Sequence, residues 1–123
     1  MSCMVRRAHE LSPEAVERIA ERFRILGEPL RIRLLQALQE KERTVGELVA
    51  LVHSTQPNVS KHLRILQEAG MVGRRQEGNS VYCFIADPTV FDLCNSVCQS
   101  LEERYSQAAR LAAELGRGVG RRR

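Results

Sequence analysis

The sequence predicts one small, mostly α-helical domain with a single β-hairpin, and three features support that prediction. Several segments place apolar residues at helical spacing behind a capping residue. Two strand-like segments surround the turn Glu77–Ser80. A chain of 123 residues with 43% hydrophobic content can bury one modest core. The expected element order is α-α-α-α-β-β-α.

The first two helices are predicted from their start signals. Ser12 supplies a cap, Pro13 an N1 proline and Glu14 an early acid, for a helix that runs to about Leu26. The next helix begins near Pro29. The first helix carries Val16, Ile19, Ala20 and Phe23 on one face, and the second sends Ile32, Leu34, Leu35 and Leu38 into the core.

Two short helices are predicted to follow in close succession. Thr44 and Glu47 form a capping box that starts the first of them. Either Ser54 or Thr55 can cap the second, with Pro57 in its first turn. Gly70 is suited to the C′ position that ends it. This arrangement predicts a helix-turn-helix.

The second of these helices combines an apolar face with a polar tip. Val59, Leu63 and Leu66 recur at helical spacing, whereas Asn58, Lys61 and Ile65 are expected on roughly the opposite face. Gln and Asn side chains offer a donor and an acceptor side by side, which suits a base edge in the major groove. The residues expected to read bases or anchor the helix tip are Thr55, Gln56, Asn58, Ser60 and Lys61.

The hairpin, Met71–Gln76 followed by Val81–Ile85, has the position of a wing behind a helix-turn-helix. Its basic residues can reach phosphates or a minor groove. Cys83 alternates with Val81 and Ile85 and is therefore expected in the core. The residues expected to hold the DNA backbone are His62, Arg64, Arg74, Arg75, Asn79 and Tyr82, and a packing role for His62 remains open.

Charge alone does not establish DNA binding. The net charge is +4, but the last seven residues contain four arginines, and the rest of the chain has 15 basic and 15 acidic residues. Local concentration of Lys61, Arg64, Arg74 and Arg75 is the stronger indication. We expect a flexible arm at residues 1–11, the DNA-binding and dimerisation domain at 12–115, and a basic disordered tail at 116–123.

A long final helix is predicted after Asp87-Pro88-Thr89. Apolar residues recur along this helix at heptad-like spacing and form a seam that is longer than a small core can bury. The seam is therefore expected to pack on the same helix of a second copy, with the first helix alongside. The helix-turn-helix of each copy, with its wing, forms a DNA-binding unit that we call the reading head. The two reading heads of a dimer would then contact DNA half-sites about one helical turn apart. The seam consists of Val90, Cys94, Val97, Leu101, Ala108, Leu111 and Leu115.

Three segments carry a resemblance to a known family. Leu26–Leu35 resembles an "L-x-x-P-x-R-x-x-I/L-L" helix, Gln56–Val72 an "S-Q-x-x-V-S-x-H-L-x-x-L-x-x-A-G-L-V" run, and Gly78–Tyr82 a "G-x-x-V-Y" wing. All are similar to motifs of the ArsR/SmtB family of bacterial winged-helix repressors, and the match covers residues 14 to 105. The resemblance implies a homodimer that represses an operator and releases it when an effector, often a metal ion, binds.

The cysteines suggest how an effector could be sensed. Cys94 and Cys98 lie at i and i+4, so both thiols face the same side of the last helix. Such a pair can share Zn(II), Cd(II), Pb(II) or trivalent arsenic. Cys3 is the candidate third ligand, and trivalent arsenic is favoured because it prefers three thiolates. Two alternatives remain open: apolar packing of the two residues, and oxidation of the same thiols without metal.

Neither of the family's established metal sites is intact in this chain. The place of a "C-x-C" in the first helix of the reading head is Glu47–Val52, without cysteine. The "D-x-H" that opens a zinc site on the last helix is Asp92-Leu93-Cys94, and the later ligand places hold Tyr105 and Ala108. A variant thiol site therefore remains open, and no cofactor is expected to be required for DNA binding.

Other function classes are disfavoured by the motifs. The chain has no nucleophile elbow, no Gly-rich phosphate loop and no convergent carboxylate pair, so neither an enzyme nor a small-molecule substrate is expected. No apolar run has membrane-spanning length and the N-terminus lacks a signal-peptide core, so a cytoplasmic protein without membrane contact is expected. A winged-helix protein–protein adaptor is the alternative; it would not need Gln56, Asn58, Lys61 or Arg75.

Overall fold

A computed structural model describes the backbone of residues 10–120 and the side chains of residues 10–116. The described residues form five helices and three strands: the five helices and the two hairpin strands follow the expected order, and the third strand is an additional short one. The chain divides into two compact units after Asp87. Cys3 and most of the expected arm lie outside the described residues, as do Arg121–Arg123. The elements are α1 (Pro13–Leu26), α2 (Pro29–Glu40), β1 (Arg43–Thr44), α3 (Val45–Val52), α4 (Gln56–Glu68), β2 (Val72–Glu77), β3 (Ser80–Ile85) and α5 (Val90–Gly120).

The predicted caps of α1, α3 and α4 are confirmed, whereas α5 begins at Val90, two residues after the proline expected in its first turn. The Ser12 hydroxyl accepts a hydrogen bond from the backbone N–H of Ala15 at the start of α1. Thr44 and Glu47 form both bonds of the capping box at the start of α3. Of the two candidates for α4, Thr55 is the cap, because its hydroxyl accepts from the N–H of Asn58 at 3.3 Å.

The strands form one antiparallel sheet in the order β1-β3-β2. Strand β1 was not expected, because a strand of two residues has no pattern of its own and exists through its pairing with β3. The hairpin strands β2 and β3 begin and end within one residue of their predicted limits. Gly78 takes φ +61° at the first central position of the turn, where glycine is favoured.

The core of the first unit lies between α2, α3, α4 and the sheet. It includes the predicted α2 residues Leu34, Leu35 and Leu38, while Ile32 is only half-buried. In α1 only Leu26 is buried, and Val16 and Phe23 are 49% and 51% exposed. The apolar face of α1 is therefore largely uncovered. The other buried core residues of this unit are Leu48, Val52, Val59, Leu63, Leu66, Met71, Val72 and Cys83.

Helix α5 spans 31 residues and continues through Gly120. The backbone at 116–120 is thus helical where a disordered tail was expected, since no proline interrupts propagation from the preceding turns. Within the described part of the chain no helix is long and apolar enough to cross a membrane. Several large apolar side chains of α5 are exposed: Leu93, Val97, Leu101, Tyr105, Leu111 and Leu115.

Candidate nucleic-acid interface

The tip of α4 is held by a short, well-bonded connection from α3. His53 ends α3 in the left-handed region at φ +53°, which turns the chain toward α4. Ser54 then accepts a hydrogen bond from the Asn58 amide at 3.0 Å, and Thr55 caps the helix. Gln56 and Asn58 are exposed at this tip. The amides expected to read bases therefore lie at a fixed, solvent-facing end of the helix.

The two faces of α4 differ sharply in burial. Val59, Leu63 and Leu66 are buried, as predicted. Ser60, Lys61 and Arg64 are exposed on the other side of the helix. They lie close together there, because Arg64 is one turn after both Ser60 and Lys61, and Lys61 is one turn after Pro57. Ile65, which was expected on the exposed face, is half-buried. The packed side fixes the helix and leaves a polar side for a ligand.

His62 does not belong to the exposed side, which corrects the expected phosphate contact. Its side chain is buried, and its Nδ1 lies 3.0 Å from a guanidinium nitrogen of Arg31 and 3.8 Å from a carboxylate oxygen of Glu28. Burial lowers the pKa of His62; Glu28 opposes that shift, and Arg31 and Lys61 add to it. His62 packs α4 against α2, the role that the sequence had left open.

Arg74 and Arg75 are neighbours on opposite faces of the sheet. Arg74 pairs in register with buried Cys83, whereas Arg75 pairs with Tyr82 and lies over its ring at 5.0 Å. Arg75 donates to Glu42 at 2.7 Å and to Glu77 at 2.5 Å. These bonds, with Glu77 contributing most, raise the pKa of Arg75. Arg75 therefore already has two carboxylate partners, which the sequence did not reveal.

Arg74 lines a cleft between α4 and the sheet. The cleft has a volume of about 200 Å³ and includes the side chains of Ser60, Arg64 and Gln67 on α4. Its remaining lining residues are Val45 and Leu63. No lining residue is acidic. Gln67 was missed by sequence reasoning, although its spacing of i+3 from Arg64 places it on the same helix face.

Asn79 and Tyr82, the last two residues expected to contact the DNA backbone, both lie in the hairpin. Asn79 is exposed beside Gly78 in the turn. Tyr82 is half-buried, and the Arg75 guanidinium lies over its ring. Both residues belong to the hairpin that also carries Arg74.

The three described cysteines have different surroundings. Cys94 is half-buried and Cys98 exposed, one turn apart on α5. The Cys98 thiol lies 3.6 Å from a carboxylate oxygen of Glu102, and that hydrogen bond raises the pKa of the thiol. Cys83 is buried, as predicted, and burial raises its pKa. Among residues 10–116, no group of three or more His, Cys, Asp or Glu side chains is placed to hold a metal.

A capped recognition helix behind a short helix, followed by a hairpin that continues the sheet, defines a winged helix-turn-helix regulator. Residues 28–73 match the family model described as "Bacterial regulatory protein, arsR family". The protein belongs to the ArsR/SmtB family of bacterial regulators, as the sequence motifs indicated, and family membership places it among transcriptional regulators rather than enzymes.

The relatives agree with this assignment. An uncharacterised HTH-type transcriptional regulator of Mycobacterium tuberculosis is 41% identical over 75 residues, which is 60% of this chain and 66% of the relative, just under two thirds of its length. A protein of Mycobacterium tuberculosis with a crystal structure is 34% identical to this chain in sequence. The two structures align with a TM-score of 0.72 over 80% of this chain and 99% of the other. A transcriptional repressor SmtB homolog of Synechocystis is 36% identical over 93 residues, which is 76% of this chain and 70% of the relative. A probable mercury resistance operon repressor of Streptomyces lividans is 41% identical over 71 residues, 58% of this chain and 57% of the relative.

Proposed function

We propose that the protein is a homodimeric repressor that places α4 in the major groove of an operator. The observation that carries this proposal is the two-sided character of α4. One side is buried in the core through Val59, Leu63 and Leu66, and the other presents a continuous polar surface from the capped tip to Arg64. A helix held this way can enter a groove without losing its own support.

The proposed contacts follow from exposure and from existing partners. His62 and Arg75 are left out, because His62 is buried and Arg75 is bonded to Glu42 and Glu77. Bases or the helix tip would be contacted by Thr55, Gln56, Asn58, Ser60 and Lys61, and the DNA backbone by Arg64, Arg74, Asn79 and Tyr82.

The proposed dimer uses α1 and α5. Phe23 on α1 and Leu101 on α5 are among the exposed apolar residues of these two helices, whereas Val90, the first residue expected in the α5 seam, is buried. A second copy would bury both seams and place two α4 helices at successive grooves. Light scattering over a concentration series tests this arrangement; a single-subunit mass at concentrations that bind operator would contradict it.

Base reading is tested with Gln56→Ala on an operator selected from a random duplex pool. We expect a loss of about 1–3 kcal/mol on the selected site and little change on random DNA, because an amide contacts base edges and not phosphates. Gln39→Ala, an exposed glutamine on α2, is the matched control. Equal losses on both DNAs would remove Gln56 from the readers. Absence of salt-sensitive duplex binding by the unmodified protein would favour the adaptor alternative.

We further propose that a soft metal or metalloid, with trivalent arsenic favoured, releases the operator by binding Cys94 and Cys98, with Cys3 as third ligand. A half-buried thiol and an exposed thiol one turn apart support this proposal, as does the relative named as a mercury resistance operon repressor. The raised pKa of Cys98 implies that ion binding releases a proton, so affinity should increase with pH.

The sensing proposal is tested with reduced protein titrated with trivalent arsenic, Zn(II), Cd(II) and Pb(II). Thiolate–metal absorption and operator release are followed together. Cys94→Ser combined with Cys98→Ser should abolish both signals, Cys3→Ser should weaken them, and Cys83→Ala should leave them unchanged. Release by peroxide in metal-free buffer, without release by any ion, would instead support the alternative of a thiol-oxidation sensor.

A further inference from the structure

The cleft between α4 and the sheet brings together two arginines that lack an acidic partner. Among the described residues, Arg18, Arg22, Arg24, Arg43 and Arg75 each form an ion pair, whereas neither Arg64 nor Arg74 has a described carboxylate within 4.0 Å. Arg64 and Arg74 both line one cleft whose lining has no acidic side chain. An anion bound in the cleft would supply the counter-charge for both arginines.

The remaining lining residues suit a small anion that accepts hydrogen bonds. The hydroxyl of Ser60 and the amide of Gln67 add neutral donors to the two guanidinium forks. The volume of about 200 Å³ is below the roughly 300–1,000 Å³ usual for sites of larger organic ligands. The chemistry therefore matches a single phosphate group.

The position of the cleft identifies the source of that phosphate. Ser60 and Arg64 belong to the exposed side of α4, and Arg74 belongs to the strand that leads to the wing. We propose that Arg64 and Arg74 together hold one phosphate of the bound duplex where the recognition helix meets the wing. This inference rests on the proposed DNA binding and adds that the two arginines act on the same phosphate.

The test measures binding of a fluorescent random-sequence duplex of about 30 base pairs, long enough for two half-sites one turn apart, across a range of salt concentrations. Arg64→Gln, Arg74→Gln and the double variant are compared. Each phosphate contact contributes about 0.9 to the slope of log affinity against log salt. One shared phosphate per subunit predicts that the slope per subunit falls by about 0.9 in the double variant. Two separate phosphates predict about 1.8.

Affinity supplies a second criterion. Each single change should weaken binding about tenfold, the loss expected for a charge-assisted hydrogen bond. The double change should weaken it less than the product of the single changes, because both side chains serve one contact. Multiplicative losses, or a slope decrease near 1.8, would overturn the inference. Arg75→Gln is the matched neighbour and should keep the slope of the unmodified protein; a slope decrease of about 0.9 in Arg75→Gln would also overturn the inference.

Free phosphate is distinguished by a separate measurement on the DNA-free protein. Inorganic phosphate is exchanged for chloride at constant ionic strength while the unfolding temperature is followed. No saturable stabilisation is expected at millimolar phosphate. A saturable rise that Arg74→Gln removes would assign the cleft to free phosphate and overturn the DNA contact. If the unmodified protein does not bind the duplex at low salt, the proposed function itself fails, whatever the cleft holds.

Discussion

Arg22 joins α1 to the two segments that follow α4 and β3, and its removal gives a quantitative test of the fold. One guanidinium nitrogen donates to the backbone oxygen of Ala69, the C-cap of α4, at 2.8 Å. Another donates to a carboxylate oxygen of Asp87 at 2.6 Å. A charge-assisted hydrogen bond contributes roughly 1.5–3 kcal/mol when well shielded.

Partial exposure reduces that value. The side chains of Arg22 and Asp87 are 38% and 26% exposed, so solvent screens the pair. We therefore expect Arg22→Ala to lower the free energy of unfolding by about 2 kcal/mol. Arg22→Lys keeps the charge but lacks the planar guanidinium that donates to both partners, so it should lower the free energy of unfolding by about half as much as Arg22→Ala.

The assay is urea unfolding followed by far-ultraviolet circular dichroism, at one protein concentration for all variants because association would shift the midpoint. Arg18→Ala is the matched control on the same helix. Arg18 is 81% exposed and 3.7 Å from Glu14, so its loss should cost less than about 0.5 kcal/mol. The reasoning is refuted if Arg22→Ala and Arg18→Ala differ by less than about 0.5 kcal/mol.

Three further predictions concern single positions. Gly73→Ala should destabilise the protein by about 1–3 kcal/mol in urea unfolding, because a Cβ there would lie 2.4 Å from the ring of Phe84; an unchanged midpoint would contradict the packing described. His53→Gly should raise the unfolding free energy by up to about 1 kcal/mol, since glycine takes φ +53° without steric cost, and a loss would show that the imidazole has a stabilising role. The pKa of His62 is lowered in the folded state, so the unfolded chain binds the proton more readily and stability should fall as the pH decreases below about 6.5. Thermal unfolding from pH 8 to 5 should show that decline in the unmodified protein and a smaller one in His62→Gln.

Sequence reasoning succeeded where structure is local. Ser12, Thr44 and Thr55 bond to N–H groups three residues later, so their capping roles depend on adjacent residues alone. The period of apolar residues in α4 likewise located Val59, Leu63 and Leu66 in the core. One of the motifs that carried the family resemblance, Gln56–Val72, includes this helix.

It failed where partners are distant in the chain. Glu42 meets Arg75 across 33 positions, and no local pattern links them. His62 is buried because Arg31 of α2 lies beside it, a contact set by helix packing and not by the spacing of α4. The cleft that contains Arg64 and Arg74 is equally a product of tertiary packing, which the sequence does not encode as a motif.

Thr44 links two parts of the first unit without an intervening loop. It is the last residue of β1, paired with Tyr82 of β3, and also the residue that caps α3. A bend between the hairpin and the helix-turn-helix would have to break either a strand pair or a helix cap at this one position. The two parts are thus expected to tumble as one body on the nanosecond timescale, with matching backbone order parameters in Tyr82 and Val45. A regulatory signal would then reorient the whole reading head instead of moving the wing alone.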